Sequence, residues 1–106
     1  MSQNFSKQAD EILAGMTLEE KVAQMKFDAP QIERLGIKSY NWWNEALHGV
    51  ARAGTATMFP QSIGLAATFN EELIHEIADC ISTEARAKYN AFQSEGDHTI
   101  HKGLTF

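Results

Sequence analysis

The chain has 106 residues, of which 43% are hydrophobic and 22% charged, an ordinary balance for a globular protein. Its formal net charge of −5 opposes binding to nucleic acid or to anionic membranes, because both require a basic surface. Cys80 is the only cysteine, which excludes an internal disulfide, and no stretch approaches the roughly 20 apolar residues of a membrane span. The start lacks a basic segment followed by an apolar run, so we expect no secretory signal and a cytoplasmic location.

The first third of the chain predicts two short helices. Apolar residues recur at helical spacing near residues 6–14, which predicts the first helix. The segment T-L-E-E that follows is typical of a capping box, in which Thr17 and Glu20 each accept a hydrogen bond from the other's backbone amide. We expect the second helix to begin there and to end at or shortly before Asp28-Ala29-Pro30.

The middle of the chain predicts strands and a loop. Residues 37–43 are rich in aromatic side chains, which favours a strand. Residues 51–57 combine Gly54 with small and β-branched residues, as loops do. The apolar run at residues 62–67 favours a buried strand, because parallel strands that are covered on both faces are continuously apolar.

A long helix after Asn70 is the clearest predicted element. Asn70 is a favourable N-cap residue, and two glutamates follow in the first turn, where the helix dipole favours negative charge. One face is apolar, Glu84 and Lys88 form an i, i+4 pair on the other side, and the pattern fades near residues 90–92. Residues 103–106 then begin another strand-like segment.

This order of elements predicts an incomplete α/β fold. A strand, a helix of about five turns and a second strand imply a βαβ unit with parallel strands. A parallel sheet needs both faces covered and both edges protected, and one unit provides neither. A complete (β/α)₈ barrel takes about 250 residues, so a chain of 106 residues holds well under half of one.

The densest cluster of chemically useful side chains is W-W-N-E-A-L-H-G, at residues 42–49. Tryptophan faces stack on the C–H faces of sugars, and a carboxylate accepts two hydrogen bonds from neighbouring hydroxyls. The cluster is therefore compatible with a sugar pocket that contains Glu45, Trp43 and Trp42, and the residues alone leave this interpretation and its alternative equally open. The alternative is that both tryptophans are core residues and that Glu45 is a solvated surface charge.

The histidine spacing does not predict a metal site. Glu45 and His48 form an E-x-x-H, but di-iron bundles need two copies of this motif and further carboxylates. His98 and His101 lie in a polar loop without partners at metal-ligand spacing. The sequence also contains no Gly-rich phosphate loop and no Gly-x-Ser-x-Gly elbow. We expect neither a metal nor a cofactor.

Six stretches of the sequence carry a family resemblance. They are M-T-L-E-E-K-V-A-Q-M at residues 16–25, R-L-G-I at 34–37, Y-N-W-W-N-E-A-L-H-G-V at 40–50, F-P-Q-S-I-G-L-A-A-T-F at 59–69, E-A-R-A-K-Y-N at 84–90 and G-L-T-F at 103–106. In this order they resemble the N-terminal part of glycoside hydrolase family 3, in its β-xylosidase branch. The resemblance covers nearly the whole chain.

The resemblance implies that residues 1–106 are the N-terminal segment of a (β/α)₈ TIM-type barrel, with two leading helices and one long helix between short parallel strands. Enzymes of this family are retaining exo-glycosidases that remove a sugar from the non-reducing end through a covalent intermediate, without a cofactor. Their nucleophilic aspartate and their acid/base glutamate lie further along the polypeptide. The resemblance therefore implies no catalytic residue within this chain.

The resemblance also suggests a role for Glu45. It is similar to the family carboxylate, often an aspartate, that binds the outer hydroxyls of the terminal sugar. One extra methylene places the carboxylate where a hexose carries its hydroxymethyl group, which favours a pentose such as xylose by about 1–3 kcal/mol. Trp42 or Trp43 is expected to help wall the pocket.

The expected activity is hydrolysis of terminal β-xylosyl residues in xylan oligosaccharides. β-Glucosidase and α-arabinofuranosidase activities of the same family are the alternatives, and a non-catalytic sugar-binding or interaction module is the alternative from another class. The expected partner is a small carbohydrate, with no nucleic acid and no membrane, and the sequence leaves the oligomeric state open.

We predict that the purified 106-residue chain does not hydrolyse an aryl β-xyloside, because the resemblance places the nucleophile and the acid/base outside it. Release of the aryl chromophore measures this directly, with a full-length xylosidase as the positive control. Turnover above the buffer blank would contradict the prediction.

Overall fold

The computed structural model describes residues 4–106, which belong to two compact units that meet in sequence between Tyr40 and Asn41. The first unit holds helices α1 (Phe5–Gly15) and α2 (Leu18–Ala23), strand β1 (Asp28–Ala29) and a short 3₁₀ helix (Glu33–Leu35). Strand β2 (Tyr40–Asn41) pairs with β1 in a two-stranded sheet. The second unit holds helices α3 (Ser62–Ala66) and α4 (Glu71–Glu95).

The two predicted leading helices are confirmed, and so is the capping box between them. The Glu20 amide donates to Thr17 Oγ1 at 3.2 Å, and the Thr17 amide donates to Glu20 Oε2 at 2.8 Å. Arg34 Nε donates to the other carboxylate oxygen of Glu20 at 3.1 Å. The Thr17 amide and the Arg34 guanidinium together lower the pKa of Glu20. The beginning of α2 is therefore fixed by local hydrogen bonds and by one more distant ion pair.

Two of the predicted strands are wrong. Residues 62–67 were expected to be a buried strand, but Ser62–Ala66 is helical, and the Leu65 amide donates to the Gln61 carbonyl at 3.0 Å. A short apolar run does not distinguish a strand from a helix by periodicity. Residues 103–106 form no strand either, and the Gly103 amide donates to the side-chain oxygen of Asn44 at 2.7 Å.

The predicted parallel βαβ unit is consequently not formed within residues 4–106, where the strands are β1 and β2, two residues each. Strand β2 does fall inside the aromatic segment predicted to contain a strand, and residues 51–57 are the expected loop. The wider expectation of a partial (β/α)₈ barrel stays a prediction.

Helix α4 begins where the sequence predicts and ends slightly later. The Asn70 side chain accepts from the Leu73 amide at 3.0 Å, as expected of an N-cap. The helix ends at Glu95 because Gly96 adopts a left-handed φ of 73° and the Asp97 amide donates back to the Phe92 carbonyl at 2.9 Å. Although α4 has 25 residues, no helix among residues 4–106 is both long and apolar enough to cross a membrane.

The core of the second unit is small and consists of short side chains. Val50 and Ala53, from the segment that precedes α3, pack against Ala85 of α4. Ile81 and Phe92 of α4 are partly buried against the same cluster. Because Ala85 has only a methyl group, the loop backbone can approach this face of α4 closely.

We predict that Asn70→Ala lowers the free energy of unfolding by about 0.5–2 kcal/mol, because the Leu73 amide loses its cap. Urea denaturation followed by circular dichroism measures the change. Asn70→Asp is the control, since its carboxylate also accepts from that amide and should retain most of the stability. Equal losses in the two variants would contradict the capping role.

Candidate functional site

A cavity of about 850 Å³ opens in the second unit. Its wall consists of residues 44–52, residues 54–58 and Phe106. Small-molecule sites commonly enclose about 300–1,000 Å³, so the cavity has room for a sugar ring. Most of the lining side chains are small or apolar, and the polar groups come from a few positions that include Glu45 and Arg52.

Glu45 lies in the wall of this cavity and is paired with Arg52. Glu45 Oε2 accepts from Arg52 Nε at 3.2 Å, and the Glu45 carbonyl accepts from the Ala51 amide at 2.9 Å. The side chains of Glu45 and Arg52 are 44% and 67% exposed, so the ion pair itself contributes at most about 1 kcal/mol. Both groups can therefore bind the hydroxyls of a ligand without breaking a strong internal contact.

Arg52 is a candidate site residue that sequence reasoning missed. It has a φ of 58°, in the left-handed region that a residue with a side chain seldom adopts. Backbone strain of this kind costs on the order of 1–3 kcal/mol and is often found at binding sites. Arg52 follows Glu45 by seven residues, which is a helical spacing, but residues 45–52 contain no helix, so periodicity does not explain the pair. The one available signal is a lone charged residue within the small-residue stretch A-R-A-G-T-A-T.

Trp42 and Trp43 lie outside the cavity wall, which begins at Asn44. Each tryptophan is 52% exposed, so neither is a core residue. The Trp43 amide donates to the Asn41 side chain at 2.9 Å, and the Trp43 carbonyl accepts from the His101 amide at 3.0 Å. The structure thus brings Glu45 into the cavity without the two aromatic side chains that were expected beside it.

The segment that carries Glu45 is fixed to residues 57–59. The His48 carbonyl accepts from the Phe59 amide at 2.8 Å, and His48 Nδ1 lies 3.0 Å from the Phe59 carbonyl oxygen. Gly49 has a φ of 131°, and a Cβ atom there would lie 2.3 Å from the Thr57 carbonyl oxygen. Only glycine permits this backbone approach.

Helix α4 holds the other side of the cavity wall through Glu84 and Lys88. The Glu84 carboxylate accepts from the Thr57 hydroxyl at 2.6 Å and from the Thr57 amide at 3.0 Å. Lys88 Nζ donates to the carbonyl oxygens of Ala53, at 2.9 Å, and Thr55. The two side chains, predicted as a surface i, i+4 pair, instead bind the loop at residues 53–57. We call this set of hydrogen bonds the α4 clamp.

The turn that follows α4 supports the beginning of the Glu45 segment. Asp97 accepts from the Thr99 hydroxyl and from Lys102 Nζ, both at 2.6 Å, and Lys102 Nζ lies 4.0 Å from the centre of the Phe92 ring. Lys102 and then Thr99 hold the pKa of Asp97 far below its usual range.

In the part of the chain that the structure describes, no three His, Cys, Asp or Glu side chains are placed to hold a metal ion.

The cavity is suited to binding a polyhydroxylated ligand. A carboxylate and a guanidinium at its wall offer hydrogen-bond acceptors and donors to neighbouring hydroxyls. Glu45 is the single carboxylate among the described residues that line the cavity, and Arg52 is the one arginine there. These two side chains make this part of the wall a candidate binding surface.

The chain is similar in sequence to xylosidases from a bacterium, a fungus and a plant. It is 48% identical over 84 residues to a xylan 1,4-beta-xylosidase of Xylanibacter ruminicola, a match that covers 79% of this chain and 10% of that protein. It is 42% identical over 104 residues to a "probable exo-1,4-beta-xylosidase" of Aspergillus fumigatus, covering 88% of this chain and 14% of that protein.

A "probable beta-D-xylosidase 7" of Arabidopsis thaliana is 44% identical over 102 residues, covering 87% of this chain and 13% of that protein. No family model matches the chain. The chain spans roughly a tenth to a seventh of the length of the curated relatives it matches and is homologous to a segment of these xylosidases.

We predict that the carboxyl group of Glu84 titrates with a midpoint below its ordinary 4.5, because the Thr57 hydroxyl, the Thr57 amide and the Lys88 charge favour its ionised form. Since the pKa is lowered in the folded state, the stability that Glu84 contributes is fully present above pH 4.5 and is lost as the pH falls through the lowered pKa. NMR titration of the Glu84 side chain measures the midpoint. Thr57→Val should raise it, and a wild-type midpoint at or above 4.5 would contradict the prediction.

Proposed function

We propose that this chain is the N-terminal segment of the barrel domain of a family 3 glycoside hydrolase of β-xylosidase type. The observation that supports it is the 42–48% identity to several proteins named as xylosidases, over most of the chain. The full-length polypeptide is proposed to release terminal β-xylosyl residues from xylan oligosaccharides with retention of configuration. Its nucleophile and its acid/base are supplied by residues beyond those described.

In this proposal Glu45 binds the terminal sugar and does not take part in bond cleavage. Its position in the wall of a cavity large enough for a sugar supports the assignment. The carboxylate accepts hydrogen bonds from two adjacent ring hydroxyls, and Arg52, 3.2 Å away, limits the rotamers that the Glu45 side chain can adopt. Trp42 and Trp43 lie outside the cavity wall, so we assign them only a secondary role in binding the sugar.

The length of the Glu45 side chain supports a pentose as the preferred sugar. A glutamate reaches one methylene further into the cavity than the aspartate that is common at this position in the family. The additional reach occupies the space that the hydroxymethyl group of a hexose requires. Discrimination by one methylene is worth about 1–3 kcal/mol, so the preference for xylose over glucose is a matter of degree.

We predict that Glu45→Asp in the full-length polypeptide raises the ratio of kcat/KM for an aryl glucoside to that for an aryl xyloside by roughly tenfold. The shorter side chain leaves room for the hydroxymethyl group, and steady-state kinetics on the matched pair of substrates measure the ratio. Glu45→Gln is the control, because it keeps the length of the side chain and removes its charge. It should lower kcat/KM for both substrates without changing the ratio. An unchanged ratio in Glu45→Asp would show that Glu45 does not select the sugar by size.

A further inference from the structure

The segment E-A-R-A-K of helix α4, at residues 84–88, belongs to the matching stretches, yet the proposed function assigns it no role. Neither Glu84 nor Lys88 lines the cavity that contains Glu45. Both side chains instead contact the loop at residues 53–57, which forms part of the cavity wall. The two residues are thus one contact removed from any ligand of that cavity.

The α4 clamp binds this loop at three successive points of its backbone. Lys88 donates to the Ala53 and Thr55 carbonyls, and Glu84 accepts from the amide of Thr57. The loop contains no helix or strand, so its own backbone offers little to keep it in one conformation. In the sequence, Thr57 lies 27 residues before Glu84, and Ala53 lies 35 residues before Lys88. The position of the loop is consequently set by α4.

The loop and the residues just after it contact the segment that carries Glu45. The Thr57 carbonyl lies against Gly49, where a Cβ atom would come within 2.3 Å of its oxygen. Two residues further on, Phe59 exchanges hydrogen bonds with His48. A displacement of Thr57 therefore moves both the far wall of the cavity and the backbone that follows Glu45.

We infer that Glu84 and Lys88 are positioning residues for the sugar-binding cavity. By holding the loop at residues 53–57, they set the distance between this loop and Glu45. That distance determines which terminal sugar fits. Hydrogen bonds suit this task better than apolar packing does, because they are directional and hold the loop in one register. The apolar contact between Ala53 and Ala85 brings the loop to α4, and the α4 clamp determines where along the helix it rests.

This inference rests on the proposed function, and it is tested in the full-length polypeptide with Glu84→Gln and Lys88→Met. Each substitution keeps the approximate size of the side chain and removes its charge. We expect the KM for an aryl xyloside to rise roughly tenfold while kcat stays within about twofold, since a hydrogen bond to a charged group is lost and the reacting groups are untouched. The preference for xyloside over glucoside should fall in the same variants.

A second readout separates positioning from a general loss of stability. Hydrogen exchange at the Thr57 amide should become faster in Glu84→Gln, while exchange within the middle of α4 stays as in the wild type. The effect of combining Glu84→Gln with Thr57→Val should be smaller than the sum of the two single effects, because both substitutions alter the same hydrogen bond between the two side chains. The matched control is Glu76→Gln, an exposed glutamate on the same helix that is absent from the cavity wall.

The possible results are distinguishable. If Glu84→Gln and Lys88→Met match Glu76→Gln in KM, in sugar preference and in Thr57 exchange, the inference is overturned while the proposed function stands. Faster exchange at Thr57 with unchanged KM and preference also overturns it, because the loop would then be held without consequence for the sugar. A wild-type polypeptide that turns over no aryl xyloside overturns the proposed function and the inference with it.

Discussion

The hydrogen bonds from Glu84 and Lys88 to the loop at residues 53–57 hold this part of the cavity wall against helix α4. Its buried core offers only Val50, Ala53 and Ala85, whose short side chains remove little apolar surface from water. Apolar packing can therefore bring the loop against α4 without fixing its register. The polar contacts fix the register of the loop on α4 and thereby the shape of this part of the cavity wall.

Glu45 lies between two supports, one from the segment that follows α4 and one from α4 itself. On the N-terminal side of Glu45, the Gly103 amide donates to Asn44 and the His101 amide donates to Trp43. Behind it, the α4 clamp acts through Thr57 on the glycine and histidine that follow in the Glu45 segment. Helix α4 and the segment after it thereby supply hydrogen-bonded partners to a stretch that contains no helix or long strand.

The features that could be predicted from the sequence are those with partners three or four residues away. The capping box at Thr17 and the N-cap at Asn70 follow from side chains that bind amides in the next turn, so local sequence is sufficient. The run at residues 62–67 does not reveal its helix, because a segment that is short and apolar throughout fits a buried strand equally well. Nothing in so brief a segment separates a buried strand from a helical turn.

The candidate site could be predicted only in part, for the same reason. Glu45 was singled out by its chemistry, and the structure places it in a cavity. The loop partners of Glu84 and Lys88 were not foreseen, because the i, i+4 spacing on a helix suggests that these two residues pair with each other. Contacts that span 27 to 35 residues leave no periodic trace in a single sequence.

The close approach of Gly49 to Thr57 limits how the shape of the cavity can be changed by substitution. Because the Thr57 carbonyl already occupies the space that a side chain at Gly49 would need, the cavity cannot be narrowed or reshaped from that position. Thr55 is better suited to variation, because it is an exposed residue of the cavity wall without the left-handed φ of 80° that Gly54 has. Libraries that aim to change which ligands the cavity admits should therefore diversify Thr55 and keep Gly49, Gly54, Glu84 and Lys88 constant.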